Sequence, residues 1–258
     1  MPISHEPRFA VTLAADEADL RAAQRLRYEV FVAELGGGGA MVDHENRLER
    51  DRFDPFFDHL ILRDDARAPG DRVIGVYRLL RDDQAARIGQ FYSEDEYDLS
   101  VLKSSGRKLL ELGRSCLHRD YRGGMAMFHL WNSLASYVSD HEIEILFGVA
   151  SFHGTDPDAL AAPLSLLHHG HLAPPDLRVR ARPEHFTAMD RIAAEALDRK
   201  AAVLEIPALI KAYLRLGGFV GEGAWIDHAF NTIDVCLILD TARMSDRQRA
   251  IYSRGRGA

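Results

Sequence analysis

Residues 108–124, with the sequence KLLELGRSCLHRDYRGG, decide the fold because they join a strand pattern to a glycine turn. Residues 108–118 predict a β-strand, and a helix follows the glycine pair and extends to about Asp140. The helix is indicated by an apolar stripe at helical spacing, formed by Met127, Trp131, Leu134 and Val138. A strand, a glycine turn and a helix in this order direct free backbone N–H groups at an anion, although two glycines also make a simple tight turn.

Two charged residues interrupt the predicted strand. Glu111 and Arg114 are three residues apart, so they would point to opposite faces of a regular strand. A β-bulge at Gly113 would bring both to one face, because an extra residue re-aims the side chain that follows it. The alternative is an ordinary strand with one of the two charged residues at its solvated edge.

Two further arginines lie in rows that are otherwise apolar. A helix is predicted over residues 16–35, capped by Asp16, and Arg27 stands in line with its stripe of Leu20, Ala23, Phe31 and Leu35. The predicted strand 72–81 places Arg78 in a row with Ile74, Val76 and Leu80. A buried arginine must be paired, so we expect a carboxylate near Arg78 from the protein or from a ligand. For Arg27, snorkelling towards a surface acid is the alternative.

The stretch between these two elements, residues 36–58, is long, irregular and rich in glycine and charge. Connections of this length in compact domains are usually functional or disordered. Asp51 and Asp54 lie in it among Phe53, Phe56 and Phe57. Acids beside aromatic rings suit a loop folded over a pocket, and a solvated turn is the alternative.

The remaining pattern predicts a mixed α/β fold. A proline-punctuated helical region covers residues 156–217, and further strands are predicted at 9–13, 59–63, 143–150 and 232–240. We expect a sheet splayed between the Glu111 strand and the strand that begins near Ile143. The expected organisation is a core of residues 1–155, a helical extension with a final strand over 156–240, and a basic, mobile tail over 241–258.

Composition excludes several classes of protein. The 258 residues are 47% hydrophobic and 28% charged, which is typical of a globular chain with material for a core. The net charge of −7 argues against a dedicated nucleic-acid binder. Two cysteines cannot build a disulfide framework, and residues 1–10 contain no apolar run of secretory type, so a cytoplasmic location is the expectation. The arginine-rich tail adds the option of a peripheral contact at the inner membrane face.

The motifs together resemble those of bacterial L-ornithine Nα-acyltransferases, which are enzymes of the GNAT fold. The resemblance covers residues 9–240 in order, and it rests on LELGRSC (110–116), RLRYEVF (25–31), GVYRLL (75–80), FYSE (91–94), GTD (154–156), YLRLG (213–217) and FNT (230–232). It implies a GNAT-like core and transfer of a 3-hydroxyacyl group from acyl-carrier protein to the α-amino group of ornithine, which gives lyso-ornithine lipid.

A more distant resemblance is to acyl-homoserine-lactone synthases, which also move an acyl chain from a carrier protein to an α-amino group. Seven positions match their pattern: Arg27, Phe31, Asp51, Asp54, Arg78, Glu111 and Arg114. These include the charged residues that interrupt the apolar rows. One shared polar site explains them better than separate accidents, because charges in apolar rows are destabilising unless paired.

The chemistry that the resemblance implies assigns a role to each position. Aminolysis of a thioester needs a neutral amine, so a base must accept a proton, and Glu111 is the candidate. Arg114 either holds Glu111 in place or binds the substrate carboxylate as a bidentate fork. Arg27 and Arg78 bind the same carboxylate or serve structural pairing, with Phe31 beside them. Asp51 and Asp54 would close the acceptor pocket and favour a cationic side chain.

The expected donor is the 4′-phosphopantetheine arm of acyl-carrier protein, with no permanently bound cofactor and no metal. Arg122, Gly123 and Gly124 are the candidate phosphate-binding turn. The usual GNAT loop, Arg-x-x-Gly-x-Gly/Ala, would need a glycine at Met125, and this departure puts ordinary coenzyme A in doubt. Two basic surfaces could receive an acidic carrier protein: Lys103, Arg107, Lys108, Arg119 and Arg122, and Arg178, Arg180 and Arg182.

Several alternatives stay open. The acceptor is ornithine or a similar amino acid, and the chain could instead be a non-catalytic module that binds acyl-carrier protein or lipid. Cys116 is a small apolar strand residue or a nucleophile that carries the acyl group. The histidines at 168, 169 and 171 are surface or core residues rather than metal ligands, because consecutive histidines on a helix point apart.

Overall fold

The computed structural model describes residues 6–245, in which strands and helices alternate along the chain. The strands are β1 (Phe9–Leu13), β2 (Asp58–Asp64), β3 (Val73–Arg81), β4 (Tyr97–Asp98), β5 (Leu109–Leu117), β6 (Ile145–His153), β7 (Arg180–Ala181), β8 (Phe186–Thr187), β9 (Phe219–Val220), β10 (Ala224–Asp227) and β11 (Thr232–Asp240). The helices are α1 (Glu17–Arg27), α2 (Asp82–Ile88), α3 (Ser100–Lys103), α4 (Ala126–Asp140), α5 (Ala161–His171), α6 (Arg199–Glu205) and α7 (Ala208–Arg215). Most of the longer elements match the sequence prediction within a few residues.

The first of two compact units contains residues 6–89 and 112–142. Here β1, β2 and β3 form an antiparallel run, and the second half of β5 lies beside β3. The side chain of Asp16 caps α1 by accepting the Asp19 N–H at 2.9 Å, as predicted. Residues 36–57 contain no strand or helix in the structure, which confirms the irregular stretch.

A π-helical segment, Tyr28–Glu34, continues α1 and changes which residues face the core. Its hydrogen bonds include the Leu35 N–H to the Val30 carbonyl, five residues back. A π-turn holds more residues than an α-turn, so the side chains after it are rotated relative to the predicted stripe. The prediction that Leu35 faces the core is therefore wrong, since Leu35 is exposed. The core on this side is formed by Ala23, Leu26, Val30, Ile61, Val76 and Cys116.

The second unit contains residues 90–111 and 143–245. The start of β5 pairs in parallel with β6, from Leu109 opposite Ile145 to Glu111 opposite Phe147. β6 pairs antiparallel with β11 over nine residues, and β10 and β8 follow β11. The sequence analysis missed the short strands β4, β7, β8, β9 and β10 because each has only two to four residues, too few to show a period of two.

Parallel and antiparallel pairs together confirm the mixed α/β class. The expected splay of the sheet and the boundary after residue 155 remain predictions. Of the predicted tail, Thr241–Arg243 forms a 3₁₀ turn, and Arg243 contacts Asp176 at 2.5 Å. The rest of that tail, residues 246–258, lies outside the described residues, and so does its predicted contact with lipid. Within residues 6–245, no helix is both long enough and apolar enough to cross a bilayer.

Candidate active site

Six charged side chains in the first unit form what we call the buried ion cluster: Arg27, Glu49, Asp51, Asp54, Arg78 and Arg114. The Arg27 guanidinium donates to Glu49 through Nε, and to Asp54 through Nη1 at 2.6 Å. Arg78 Nη1 lies 2.7 Å from both Asp51 Oδ2 and Asp54 Oδ1. Three of the side chains are cationic and three are anionic, so the cluster balances its own charge.

The charges of the cluster hold its carboxylates in the ionised form. Burial alone would raise the pKa of Glu49, but the charges of Arg114 and Arg27 outweigh it and lower that pKa to about 2. Arg27 and Arg78 likewise overcome burial at Asp54 and lower its pKa to about 2. The cluster is therefore a fixed set of full charges at neutral pH, surrounded by a medium that screens them weakly.

The cluster has a fully buried side and an accessible edge. The side chains of Arg27 and Arg78 are 0% exposed, whereas those of Arg114 and Asp51 are 13% and 19% exposed. Arg114 also lies over the ring of Phe31, 5.9 Å from its centroid. Of the two roles left open for Arg27 and Arg78, the structure shows structural pairing with protein carboxylates. Arg114 and Asp51, with Phe31 beside Arg114, therefore form the partly exposed edge of the cluster.

Glu49 is the member of the cluster that the sequence analysis missed. Its side chain bridges two arginines, with Oε2 on Arg27 and Oε1 3.2 Å from Arg114 Nε. It lies in the irregular stretch, where no periodicity marks a residue as buried. The only available signal was indirect: three arginines in apolar rows demand at least as many carboxylates, and Glu49 is two residues before Asp51.

The backbone of β5 is irregular close to the predicted position. Arg114, and not Gly113, has a left-handed backbone with φ of 50°. This conformation is uncommon for a residue with a side chain and is maintained only where the surroundings compensate for it. The contacts of Arg114 with Glu49 and with Asp51 Oδ2, at 3.7 Å, provide such compensation.

Glu111, three residues earlier in β5, is almost fully buried in the second unit and has its own set of donors. The backbone N–H groups of Tyr92 and Ser93 donate to its two oxygens at 2.7 and 2.6 Å, and the Ser93 hydroxyl donates to Oε1. An ionised carboxylate only accepts hydrogen bonds, so three donors suit that form. These donors fix the orientation of the carboxylate.

The predicted phosphate-binding turn precedes α4, as expected. Gly123 has a left-handed backbone with φ of 79°, a conformation that glycine adopts without strain. Arg122 donates through Nε to the Leu117 carbonyl at 3.1 Å. Its two terminal nitrogens contact the carboxylate of Glu34 at 2.5 and 2.8 Å. The roles of Arg122, Gly123 and Gly124 in donor binding remain predictions.

Comparison with known proteins identifies the family. The acetyltransferase (GNAT) domain family matches residues 26–132, a range that contains the whole buried ion cluster and the Arg122 turn. The L-ornithine Nα-acyltransferase of Rhodobacter capsulatus is 61% identical over 261 residues, covering 99% of this chain and 98% of the relative. The chain belongs to the L-ornithine Nα-acyltransferase family. It is therefore an acyltransferase, and the hypothesis of a non-catalytic module is no longer needed.

Other comparisons agree with this family. The L-ornithine Nα-acyltransferase of Brucella abortus is 43% identical, covering 94% of this chain and 88% of the relative. Among solved structures, the CoA-dependent acyl-homoserine lactone synthase BjaI matches with a TM-score of 0.51 and 14% identity, covering 95% of this chain and 89% of that one. This likeness shows the shared fold and agrees with the second resemblance noted from the sequence.

Cys116 has the surroundings of a core residue of this acyltransferase. It packs among the apolar side chains of α1, β2 and β3. Burial raises the pKa of its thiol to about 12, so the thiolate needed for a covalent route does not form at neutral pH. The structure therefore favours the apolar interpretation of Cys116.

The histidines of α5 and the two predicted basic surfaces concern a metal partner and a protein partner of the enzyme. His169 contacts the Ile192 carbonyl at 2.9 Å. Within residues 6–245, ligand atoms of Glu96, Asp227 and Asp234 lie within 4.8 Å of one another, whereas the histidines of α5 belong to no such group. In the predicted basic surfaces, Lys103 pairs with Glu94, Arg107 with Asp240 and Arg180 with Glu222. These acids partly neutralise both surfaces.

Proposed function

We propose that this acyltransferase moves a (3-hydroxy)acyl group from the phosphopantetheine arm of acyl-carrier protein to the α-amino group of L-ornithine, giving lyso-ornithine lipid. The observation that carries the proposal is the 61% identity, over nearly the full length of both chains, with a relative named L-ornithine Nα-acyltransferase. The accessible edge of the buried ion cluster supports an amino-acid acceptor, because it offers one cation and one anion side by side.

The acceptor binds through charges of opposite sign. Arg114 contacts the α-carboxylate, because a guanidinium fork matches a carboxylate in geometry and charge. Asp51 attracts the ammonium group of the side chain, which favours a diamino acid over glycine. Arg27, Glu49, Asp54 and Arg78 do not touch the acceptor in this proposal. They hold Arg114 and Asp51 in place, since each of them is bound to one of these two residues or to a shared partner.

The α-ammonium must lose two protons to become an amide nitrogen. Glu111 accepts the first, directly or through a water molecule, and later releases it to solvent, and the neutral amine attacks the thioester carbonyl. A C–N bond forms, the C–S bond breaks, and the second proton passes from the attacking nitrogen to the departing pantetheine thiolate. The backbone N–H groups of Tyr92 and Ser93 keep the Glu111 carboxylate oriented for this transfer. No residue of the chain is acylated, in keeping with the buried thiol of Cys116.

The test is turnover by the purified protein with 3-hydroxyacyl-carrier protein and single amino acids. Ornithine, lysine, 2,4-diaminobutyrate and glycine are supplied separately, and mass spectrometry quantifies each acylated product. Acyl-ornithine as the main product supports the proposal. Preferential acylation of another amino acid would keep the chemistry and overturn the acceptor, and turnover with acyl-coenzyme A alone would overturn the donor.

A further inference from the structure

The carboxylate of Glu34 occupies the binding face of Arg122. Its two oxygens contact the two terminal nitrogens of the guanidinium at 2.5 and 2.8 Å, in a bidentate arrangement. The third nitrogen, Nε, donates to the Leu117 carbonyl at 3.1 Å, which leaves the edge that faces Glu34 as the one with both terminal nitrogens. A phosphodiester that binds Arg122 in the same bidentate manner must first displace Glu34.

The ion pair between Glu34 and Arg122 contributes little to the stability of the fold. Glu34 is the last residue of the π-helical segment, and a negative charge at the C-terminal end of a helix is electrostatically unfavourable. The side chains of Arg122 and Glu34 are 41% and 36% exposed, and exposed ion pairs contribute little to folding. A pair that stabilises the fold so weakly is readily exchanged for a ligand.

A second position for the Glu34 carboxylate lies next to the first. A cavity of about 370 Å³ is lined by the polar side chains of Glu29, Glu34, Arg47, His118 and Arg119 and by the apolar side chains of Leu26, Val30 and Ala33. The pKa of Glu34 is lowered chiefly by its hydrogen bond to Arg122, and the charge of Arg119 lowers it further. Arg119 therefore attracts Glu34 from the cavity side.

We infer that Glu34 sets the affinity of this enzyme for its acyl donor. Its carboxylate competes with the donor phosphodiester for Arg122, and it turns into the cavity towards Arg119 when the phosphodiester binds. The inference rests on the proposed donor and on the predicted role of Arg122 as the ligand of its phosphate. It adds a competing residue to that function, so removing Glu34 strengthens donor binding rather than weakening it.

The experiment measures binding of pantetheine 4′-phosphate by isothermal titration calorimetry to the wild type, Glu34→Gln and Glu34→Ala. Glu29→Gln is the matched control, because Glu29 lines the same cavity and carries the same charge but contacts Arg47 at 3.9 Å instead of Arg122. Loss of an exposed ion-pair competitor predicts a Kd about fivefold lower in both Glu34 variants, with the control within about twofold of the wild type. Circular dichroism melts check that all four proteins are folded.

An unchanged or higher Kd in the two folded Glu34 variants overturns the inference. An equal fall in the Kd of Glu29→Gln also overturns it, because that result would reveal a general effect of charge. A lack of binding by all four proteins overturns it as well. These outcomes are distinguishable from a failure of the proposed function. That function fails on turnover, if no acyl-ornithine forms, whatever the affinity for pantetheine 4′-phosphate.

Discussion

Replacing Glu49 with glutamine should destabilise the protein more than its single lost charge suggests. The substitution leaves the three arginines of the cluster, two of them fully buried, with two carboxylates, and it turns an amide NH₂ towards either Arg27 or Arg114. The pKa of Glu49 is lowered from 4.5 to about 2, which corresponds to about 3 kcal/mol of favourable interaction for its charged form. Breaking a buried ion pair by removing one partner typically costs about 3 to 5 kcal/mol. We expect a loss in this range, a large part of the roughly 5–15 kcal/mol that stabilises a typical domain.

The assay is urea unfolding of the wild type and Glu49→Gln at pH 7.5, followed by circular dichroism. Glu29→Gln is the control, since Glu29 is exposed and makes only a 3.9 Å contact with Arg47, and its change should stay within about 0.5 kcal/mol. Under conditions where both proteins are folded, the kcat/KM of Glu49→Gln with ornithine should also be lower than that of the wild type, because Arg114 has lost an orienting partner. A change in unfolding free energy below about 1 kcal/mol would refute the argument that Glu49 holds the cluster together.

Three further predictions concern single residues. Burial lowers the pKa of His59 from 6.5 to about 4. As the pH falls, the unfolded chain therefore binds the proton before the folded chain does, and the free energy of unfolding should decrease by about 2 kcal/mol between pH 7 and pH 5. His59→Gln keeps a donor for the Asp54 carbonyl, and its urea midpoint should vary less with pH over this range. A pH dependence equal to that of the wild type would contradict the assignment to His59. Arg114→Gly should be more stable than Arg114→Ala by about 1 kcal/mol because of the left-handed backbone, although both lose activity, and equal melting temperatures would argue against strain there. Cys116→Ala should retain kcat within about twofold, whereas an acylated Cys116 trapped by mass spectrometry would show a covalent route.

The sequence predicted the parts of this fold that depend on periodicity. The strands β1, β3 and β11 and the helix α4 carry clear periods, and β6 is a near-continuous apolar run; these elements, with β2 and β5, were predicted within a few residues. Arg27 and Arg78 were recognisable because each interrupts a row whose other members are apolar. The need of Arg78 for a carboxylate partner followed from the pattern, whereas for Arg27 the pattern also allowed snorkelling to a surface acid.

The parts that were missed depend on tertiary contacts or on special backbone geometry. Glu49 lies in a stretch without a period, so only the folded chain shows that it bridges two arginines. The π-helical segment gives no sequence signal, and it moved Leu35 out of the core. A bulge in β5 was expected at Gly113 because it would bring Glu111 and Arg114 to one face, and the left-handed backbone lies one residue later, at Arg114, where contacts with Glu49 and Asp51 support it.

The measurement that most directly tests the central claim is the site of acylation on ornithine. L-Ornithine labelled with ¹⁵N only at the α-amino group is incubated with the wild-type enzyme and 3-hydroxyacyl-carrier protein, and the product is fragmented by tandem mass spectrometry. The account predicts that the ¹⁵N label is found in the amide that carries the acyl chain, and that Arg114→Ala reduces the yield of this product. An acyl chain on the unlabelled δ-nitrogen, or an undiminished yield with Arg114→Ala, would contradict the way in which the buried ion cluster is proposed to hold the acceptor.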